Sequence, residues 1–253
     1  MIDSAVARLS DEQTNERLVK LNPSLNDLPE VLPGATWCRD YRYLLVYRQG
    51  VLQLVPANKK QRPLMVDFIA GTTGYRGHQN VRNEMLVKAV LGRDKQTIPT
   101  VIDATAGLGR DSYLLAVLGC YVTMLERNPV VGALLSDGLA RFKAQDQEGV
   151  AKRMTLIKGD ARENLQSMTE ADVVYLDPMF PKRDKAALVK KEMQIFKEIV
   201  GPDTDGDYLL DVAQRIALKR VVVKRPAKAE YLAGVKPTYC LQGKASRFDI
   251  YQC

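Results

Sequence analysis

The sequence has little of what metal centres and disulfide frameworks are built from. It holds a single histidine, His78, and four cysteines, Cys38, Cys120, Cys240 and Cys253, scattered without a CxxC pair. A zinc site needs several such ligands close together and a secreted scaffold needs paired cysteines, so no metal is expected and the thiols read as reduced and structural. Long apolar runs are lacking too. The longest uncharged stretch, residues 112–125, is interrupted by Gly119 and falls short of the roughly 20 residues that span a bilayer. The opening MIDSAVARLSDEQTNE carries acids where a secretory signal has a basic region followed by an apolar one. Low-complexity segments are absent. These absences leave an ordinary globular chain, expected in the cytoplasm and without a membrane partner.

What is present in excess is clustered positive charge. Lysine and arginine exceed aspartate and glutamate by 37 to 30, a net +7. Lys182, Arg183, Lys185, Lys190 and Lys191 stand together against Asp184, and a second group, Lys219, Arg220, Lys224, Arg225 and Lys228, contains no acid. Such clusters are the electrostatic footprint of a phosphate-rich partner; composition alone fits equally well two solvated faces of a basic protein.

The 253 residues suffice for a large domain with a smaller companion. Residues 1–30 are polar and read as a small helical or irregular lead-in. Residues 43–47 and 51–55 alternate as two strands around a turn at Gly50, and 64–69 reads as a third strand. Gly71, Gly74 and Gly77 mark a loop before a helix at 79–91. Residues 1–95 are thus expected to form a small α/β lobe. From residue 96 to 253 the rhythm is regular: strands at 100–103, 121–125, 154–157, 172–176 and 220–223 alternate with helices at 111–118, 129–144, 186–200 and 207–217. That alternation predicts a mostly parallel, Rossmann-like sheet covered on both faces. The last segments leave no room for a crossover helix, so an antiparallel hairpin should complete seven strands.

The first of these strands runs into DATAGLGRD, residues 103–111. Gly107 and Gly109 at a strand-to-helix turn allow a ligand to approach the backbone, although a GxG also serves as a plain tight turn. Glu126 ends the next strand, 23 positions after Asp103, where an acid can accept from both hydroxyls of an adenosine ribose. A nicotinamide enzyme would want a third glycine at Ser112, and a pyrophosphate would sit badly beside Asp103 and Asp111. Acids around the glycines suit a ligand with a sulfonium and an ammonium, which favours S-adenosylmethionine. Asp160 ends the third strand and can accept from an adenine amine, cap the following helix, or both. The fourth strand ends in Asp177-Pro178-Met179-Phe180-Pro181. An amine conjugated to a purine ring is a poor nucleophile. Acceptors at Asp177 and the Pro178 carbonyl could hold its N–H groups, while Phe180 offers a stacking face. This stretch resembles the Asp/Asn-Pro-Pro-Tyr/Phe signature of methyltransferases that act on amino groups, with Met179 in place of the second proline.

The runs VIDATAGLGRD (101–111), MLERNPVV (124–131), VVYLDPMFP (173–181), ALVKKEM (187–193), KRVVVKRP (219–226) and RFDIY (247–251) together resemble the ribosomal RNA small-subunit methyltransferase J family. The resemblance covers residues 100–251. It implies a class I methyltransferase fold and cofactor contacts from Arg110, Asp111, Glu126, Arg127, Asp160, Ala161 and Asp177. It implies as partner 16S rRNA or the small ribosomal subunit, and as target the N2 amine of a guanine in the 3′-terminal region of that RNA. The basic clusters agree with it, since Lys182, Arg183 and Lys185 follow the Asp177 loop and Lys224 and Arg225 leave the fifth strand beside it.

The expected chemistry is direct in-line transfer. Asp177 and the Pro178 carbonyl orient the amine, Phe180 stacks on the base, and positioning supplies most of the acceleration. A paired guanine would have to be extruded. Two rivals stay open: DNA adenine or a protein glutamine as acceptor, and a cofactor-binding assembly factor without turnover.

Overall fold

The computed structural model describes residues 6–58, 60–70, 84–92, 97–179, 191–201 and 206–253. In chain order the elements are β1 (Val6–Leu9), α1 (Glu12–Leu21), β2 (Glu30–Val31), β3 (Tyr43–Arg48), β4 (Val51–Pro56), α2 (Met85–Leu91), β5 (Val101–Asp103) and α3 (Arg110–Val117). They continue with β6 (Val122–Glu126), α4 (Pro129–Lys143), β7 (Met154–Lys158), α5 (Ala161–Ser167), β8 (Ala171–Leu176), α6 (Lys191–Val200), α7 (Gly206–Ile216), β9 (Ala217–Pro226), β10 (Tyr239–Gln242) and β11 (Ser246–Gln252). The chain divides into two compact units. One comprises Met1–Val66, Asn128–Arg141 and Met179–Pro202; the other comprises Asp67–Arg127, Phe142–Pro178 and Asp203–Cys253.

The first unit carries a four-stranded sheet in the order β2-β1-β3-β4. β3 and β4 form the expected hairpin, turning through Gln49 and Gly50 at φ 52° and 77°, the pair of left-handed positions that a tight two-residue hairpin requires. Val6–Leu9, read from sequence as part of an irregular lead-in, is instead a strand buried along its length and paired in parallel with both β2 and β3. A four-residue strand is too short to show periodicity, and only its distant partners define it. The strand expected at 64–69 shrinks to a single bridge between Leu64 and Leu54. Beyond it the Asp67 carboxylate accepts from the N–H groups of Ile69 and Ala70 at 2.9 and 3.0 Å, a local turn that competes with a sheet ladder.

The second unit carries the seven-stranded sheet, order β10-β11-β9-β8-β5-β6-β7. The five strands from β9 to β7 are parallel, and β11 runs antiparallel to both β9 and β10. This is the class I methyltransferase fold, mostly parallel and closed by a hairpin, as the sequence predicts. Its central strands are aliphatic on both faces because helices cover them: Val174, Leu176, Val221 and Val223 share one cluster with Leu209, Leu210 and Ala213 of α7. Each such side chain contributes about 2 kcal/mol of burial, so the strand ends are held firmly where the site residues emerge. Among the described residues no helix is long and apolar enough to cross a membrane. The glycine-rich loop, the first part of the helix expected from 79, and residues 186–190 of the helix expected before 200 lie outside the described residues.

Candidate active site

β5 has β8 on one side and β6 on the other, so the order of strands reverses there. In an open α/β sheet the crevice beyond the carboxyl ends at such a switch point is where ligands bind. The segment leaving β5 is stitched to both neighbours. Ala104 N–H donates to the Tyr175 carbonyl at 3.0 Å and Ala106 N–H to the Leu125 carbonyl at 3.0 Å. Asp177 N–H donates to Thr105 Oγ1 at 2.6 Å. Gly107 and Gly109 adopt φ 54° and 70°, which residues with a Cβ rarely enter, and Gly109 caps α3. The two glycines therefore hold a left-handed turn that exposes a helix start toward the crevice edge.

Four carboxylates gather along this edge. Asp103 is 2% exposed and accepts from Ser112 Oγ and from Thr105 N–H. Burial pushes its carboxyl up to about 7; the Ser112 hydrogen bond opposes that rise, while the neighbouring charges of Asp111 and Asp177 add to it. Glu126 is buried and accepts from Gly107 N–H at 2.8 Å, tying the end of β6 to the glycine turn. Asp111 and Asp177 share one cation. Lys224 Nζ donates to an oxygen of each at 2.8 Å. The buried Tyr175 hydroxyl donates to the same Asp111 oxygen at 2.7 Å. Burial disfavours the Lys224 charge, but the two adjacent carboxylates outweigh it and hold the ammonium well above the ordinary lysine range. Tyr175 is likewise raised well above the usual phenol, by burial first and by those acids second. A cleft of about 840 Å³ opens beside Asp111 and Lys224, walled also by Met85, Lys88, Gln242 and Phe248.

Asp160 stands at the end of β7 as the N-cap of α5, accepting from Arg162 N–H at 2.8 Å and from Arg162 Nε at 2.9 Å. The Arg162 hydrogen bond holds its carboxyl below the usual range against the pull of partial burial, and the charge of Arg127 assists. Ala161 is the buried first residue of α5 and Arg127 is exposed. Arg110 and Asp111 open α3, and Pro178 is buried against Gly206.

Strand geometry disperses the second basic cluster. Successive residues of β9 face opposite sides. Lys219 pairs with Asp172 at 2.8 Å, and the Arg220 guanidinium lies against Gly92. Lys224 turns into the crevice, whereas Arg225 is 6% exposed and donates to the Glu230 carbonyl. Phe180, Lys182, Arg183 and Lys185 lie outside the described residues. Sequence reading missed Thr105, Ser112 and Tyr175 as supports of the edge. Their signal was a polar atom beside apolar residues at a strand end or in the first turn of α3, where a buried donor must find an acceptor.

Residues 35–253 match the family model described as "Putative SAM-dependent methyltransferase". A protein of Thioalkalivibrio sulfidiphilus named ribosomal RNA small subunit methyltransferase J is 45% identical over 257 residues, covering 99% of each chain. A protein of Tolumonas auensis with the same name is 50% identical over 214 residues, covering 83% of this chain and 86% of its own. The chain belongs to the ribosomal RNA small subunit methyltransferase J family. A crystal structure of a SAM-dependent methyltransferase from Neisseria gonorrhoeae is 33% identical and superposes with a TM-score of 0.72, covering 98% of this chain and 95% of the other. The cofactor of this methyltransferase family is S-adenosylmethionine, and the crevice fits it. The ligand carries a sulfonium and an ammonium, and a desolvated Asp103 beside Glu126, Asp111 and Asp177 is an acid-rich edge that a cationic ligand relieves. Among the described residues no cluster could hold a metal ion.

Proposed function

We propose that the protein methylates the exocyclic N2 amine of a guanine in the 3′-terminal region of 16S rRNA, in the free RNA or in the small subunit. The observation that carries this reading is the Asp177-Pro178 step, which leaves β8 at the switch point with its backbone held by Thr105 and its carboxylate turned to the acid-rich edge. S-adenosylmethionine supplies an electrophilic methyl group on sulfur. Asp103, Gly107, Gly109, Arg110, Asp111, Glu126, Arg127, Asp160, Ala161 and Asp177 form the surface against which it would lie. Asp177 and the Pro178 carbonyl accept from the two N–H groups of the amine and aim its lone pair, and Phe180 stacks on the base. The amine's proton leaves to water after transfer, so Asp177 acts as anchor rather than base. Lys182, Arg183 and Lys185 supply charge for the RNA backbone. The names borne by the relatives support the RNA class of acceptor.

The test is transfer of labelled methyl from S-adenosylmethionine to small ribosomal subunits that lack the modification, with the labelled nucleoside identified. Recovery as N2-methylguanosine is expected. Label on DNA adenine, on protein glutamine, or on no acceptor despite cofactor binding would overturn the reading.

A further inference from the structure

We propose that Lys224 is a positioning residue for methyl transfer: its ammonium ties the carboxylates of Asp111 and Asp177 together and so fixes which Asp177 oxygen faces the acceptor amine. The inference rests on the anchoring role given to Asp177 above. Val223 pairs with Leu176 in the parallel ladder of β8 and β9, so Lys224, still within β9, and Asp177, just past the end of β8, are the next residues along each segment. Lys224 Nζ reaches Asp177 Oδ2 and Asp111 Oδ2, each at 2.8 Å, and Tyr175 holds that Asp111 oxygen from a second side. Since the Asp177 N–H is also held by Thr105, the residue is fixed at both backbone and side chain. A lysine that served only to gather phosphate would extend into solvent, whereas this one is 30% exposed and donates inward to two acids.

The charge balance explains the need for it. Asp177 faces Lys224 from β9, Asp111 from α3, Asp103 from β5 and Tyr175 from its own strand. Without the ammonium, Asp177 would lose the positive charge held 2.8 Å from its carboxylate while the acids Asp111 and Asp103 stay near it. Its carboxyl would take up a proton more readily, and a protonated carboxyl accepts poorly from an amine.

The full-length protein is assayed in single turnovers on unmodified small subunits across about pH 5.5 to 9, comparing wild type with Lys224→Met, Lys224→Arg and Asp177→Ala. For Lys224→Met the rate at neutral pH falls about 10- to 100-fold while cofactor affinity, RNA affinity and the salt dependence of RNA binding stay within about twofold. The acid limb of its pH profile moves to higher pH, and Lys224→Arg restores most of the rate. Should the methionine variant fail to fold, Lys224→Gln, which keeps a donor without the charge, answers the same question. An unchanged rate and profile would overturn the proposal. So would a loss traced to weaker RNA binding with a salt slope reduced by about one, the signature of a phosphate contact, or a loss traced to cofactor binding alone. Asp177→Ala separates the two readings. Normal turnover there removes Asp177 as anchor whatever Lys224 does, while loss there beside a normal Lys224→Met rate removes only the positioning role.

Discussion

Asp137 in the first compact unit and the Asp111–Asp177 pair in the second solve the burial of a carboxylate in opposite ways. Asp137 is fully buried and meets two guanidiniums, with Arg17 Nε at 2.9 Å and Arg141 Nε at 2.9 Å, and it also accepts from Leu52 N–H at 3.1 Å. One acid is enclosed by two cations and a backbone donor, and the group is closed. Asp111 and Asp177 share one ammonium, their side chains stay 18% and 38% exposed, and Asp103 and Glu126 lie on the same strand-end edge. Excess cation around a buried acid locks two helices and a strand of one unit together. Excess acid at a crevice edge leaves negative charge that a cationic ligand can complete. The sign of the local imbalance, rather than the number of ion pairs, separates scaffold from site.

Asp177→Ala sets the largest expected effect. Methyl transfer should fall on the order of 100- to 1000-fold, the loss that follows removal of one preorganised polar contact to a reacting group. Thermal melting should stay near that of the wild type because the residue is half exposed. Asp137→Asn should do the reverse. Removing the acid from between two arginines costs about 3 kcal/mol of stability, read from denaturant unfolding, with turnover per folded molecule preserved. If Asp137→Asn were as stable as the wild type, or Asp177→Ala as active, the distinction between lock and site would collapse.

Much of that distinction was legible in the sequence, and the rest was lost for definite reasons. Asp103 and Glu126 end their strands and Asp160 and Asp177 stand one or two residues past theirs; the expected ends of these four strands agree with the observed ones to within a residue, so the acids on the crevice edge could be read directly. β9 was read four residues long at 220–223 and runs from Ala217 to Pro226. Lysine and arginine looked like its boundaries, yet Lys219 and Lys224 find carboxylates on β8, α3 and the segment after β8. The same blindness to partners made residues 219–228 look like one basic surface. Pairing across a sheet is non-local, and a linear sequence shows a charge without showing what neutralises it. Asp137 was invisible for that reason: within the helical run 129–144 it is one more polar residue, and the distant partners Leu52 and Arg17, the latter 120 positions away, reveal its place.

Glu126→Gln probes the acid excess more gently. The amide oxygen can still accept from Gly107 N–H, now 2.8 Å from the carboxylate, so the glycine turn should persist. Charge-assisted hydrogen bonds are worth about 1.5 kcal/mol more than neutral ones where a ligand hydroxyl is bound. Cofactor affinity should therefore fall about 10-fold by calorimetry, with melting of the unliganded protein unchanged. Melting lowered in step with affinity would assign Glu126 to the scaffold instead.

The smallest effect concerns protons. Burial raises the Asp103 carboxyl to about 7 from an ordinary 3.8, so the folded protein holds that proton more tightly than the unfolded chain. Its contribution to stability is full below the unfolded value and is lost as pH rises through about 7. A cationic ligand reverses the preference, because the anion of Asp103 is the form it stabilises. Binding of S-adenosylmethionine near neutrality should then expel part of a proton, and affinity should climb several-fold as pH rises through about 7 before levelling. Calorimetry in two buffers of different ionisation enthalpy reads the proton directly. Asp103→Asn, which keeps an acceptor for Ser112 but cannot titrate, should bind with a flatter pH profile and release no proton. Equal proton release from both proteins would locate the titrating group elsewhere and remove Asp103 from the charge that meets the cofactor, leaving it with Asp137 among the acids that serve the fold.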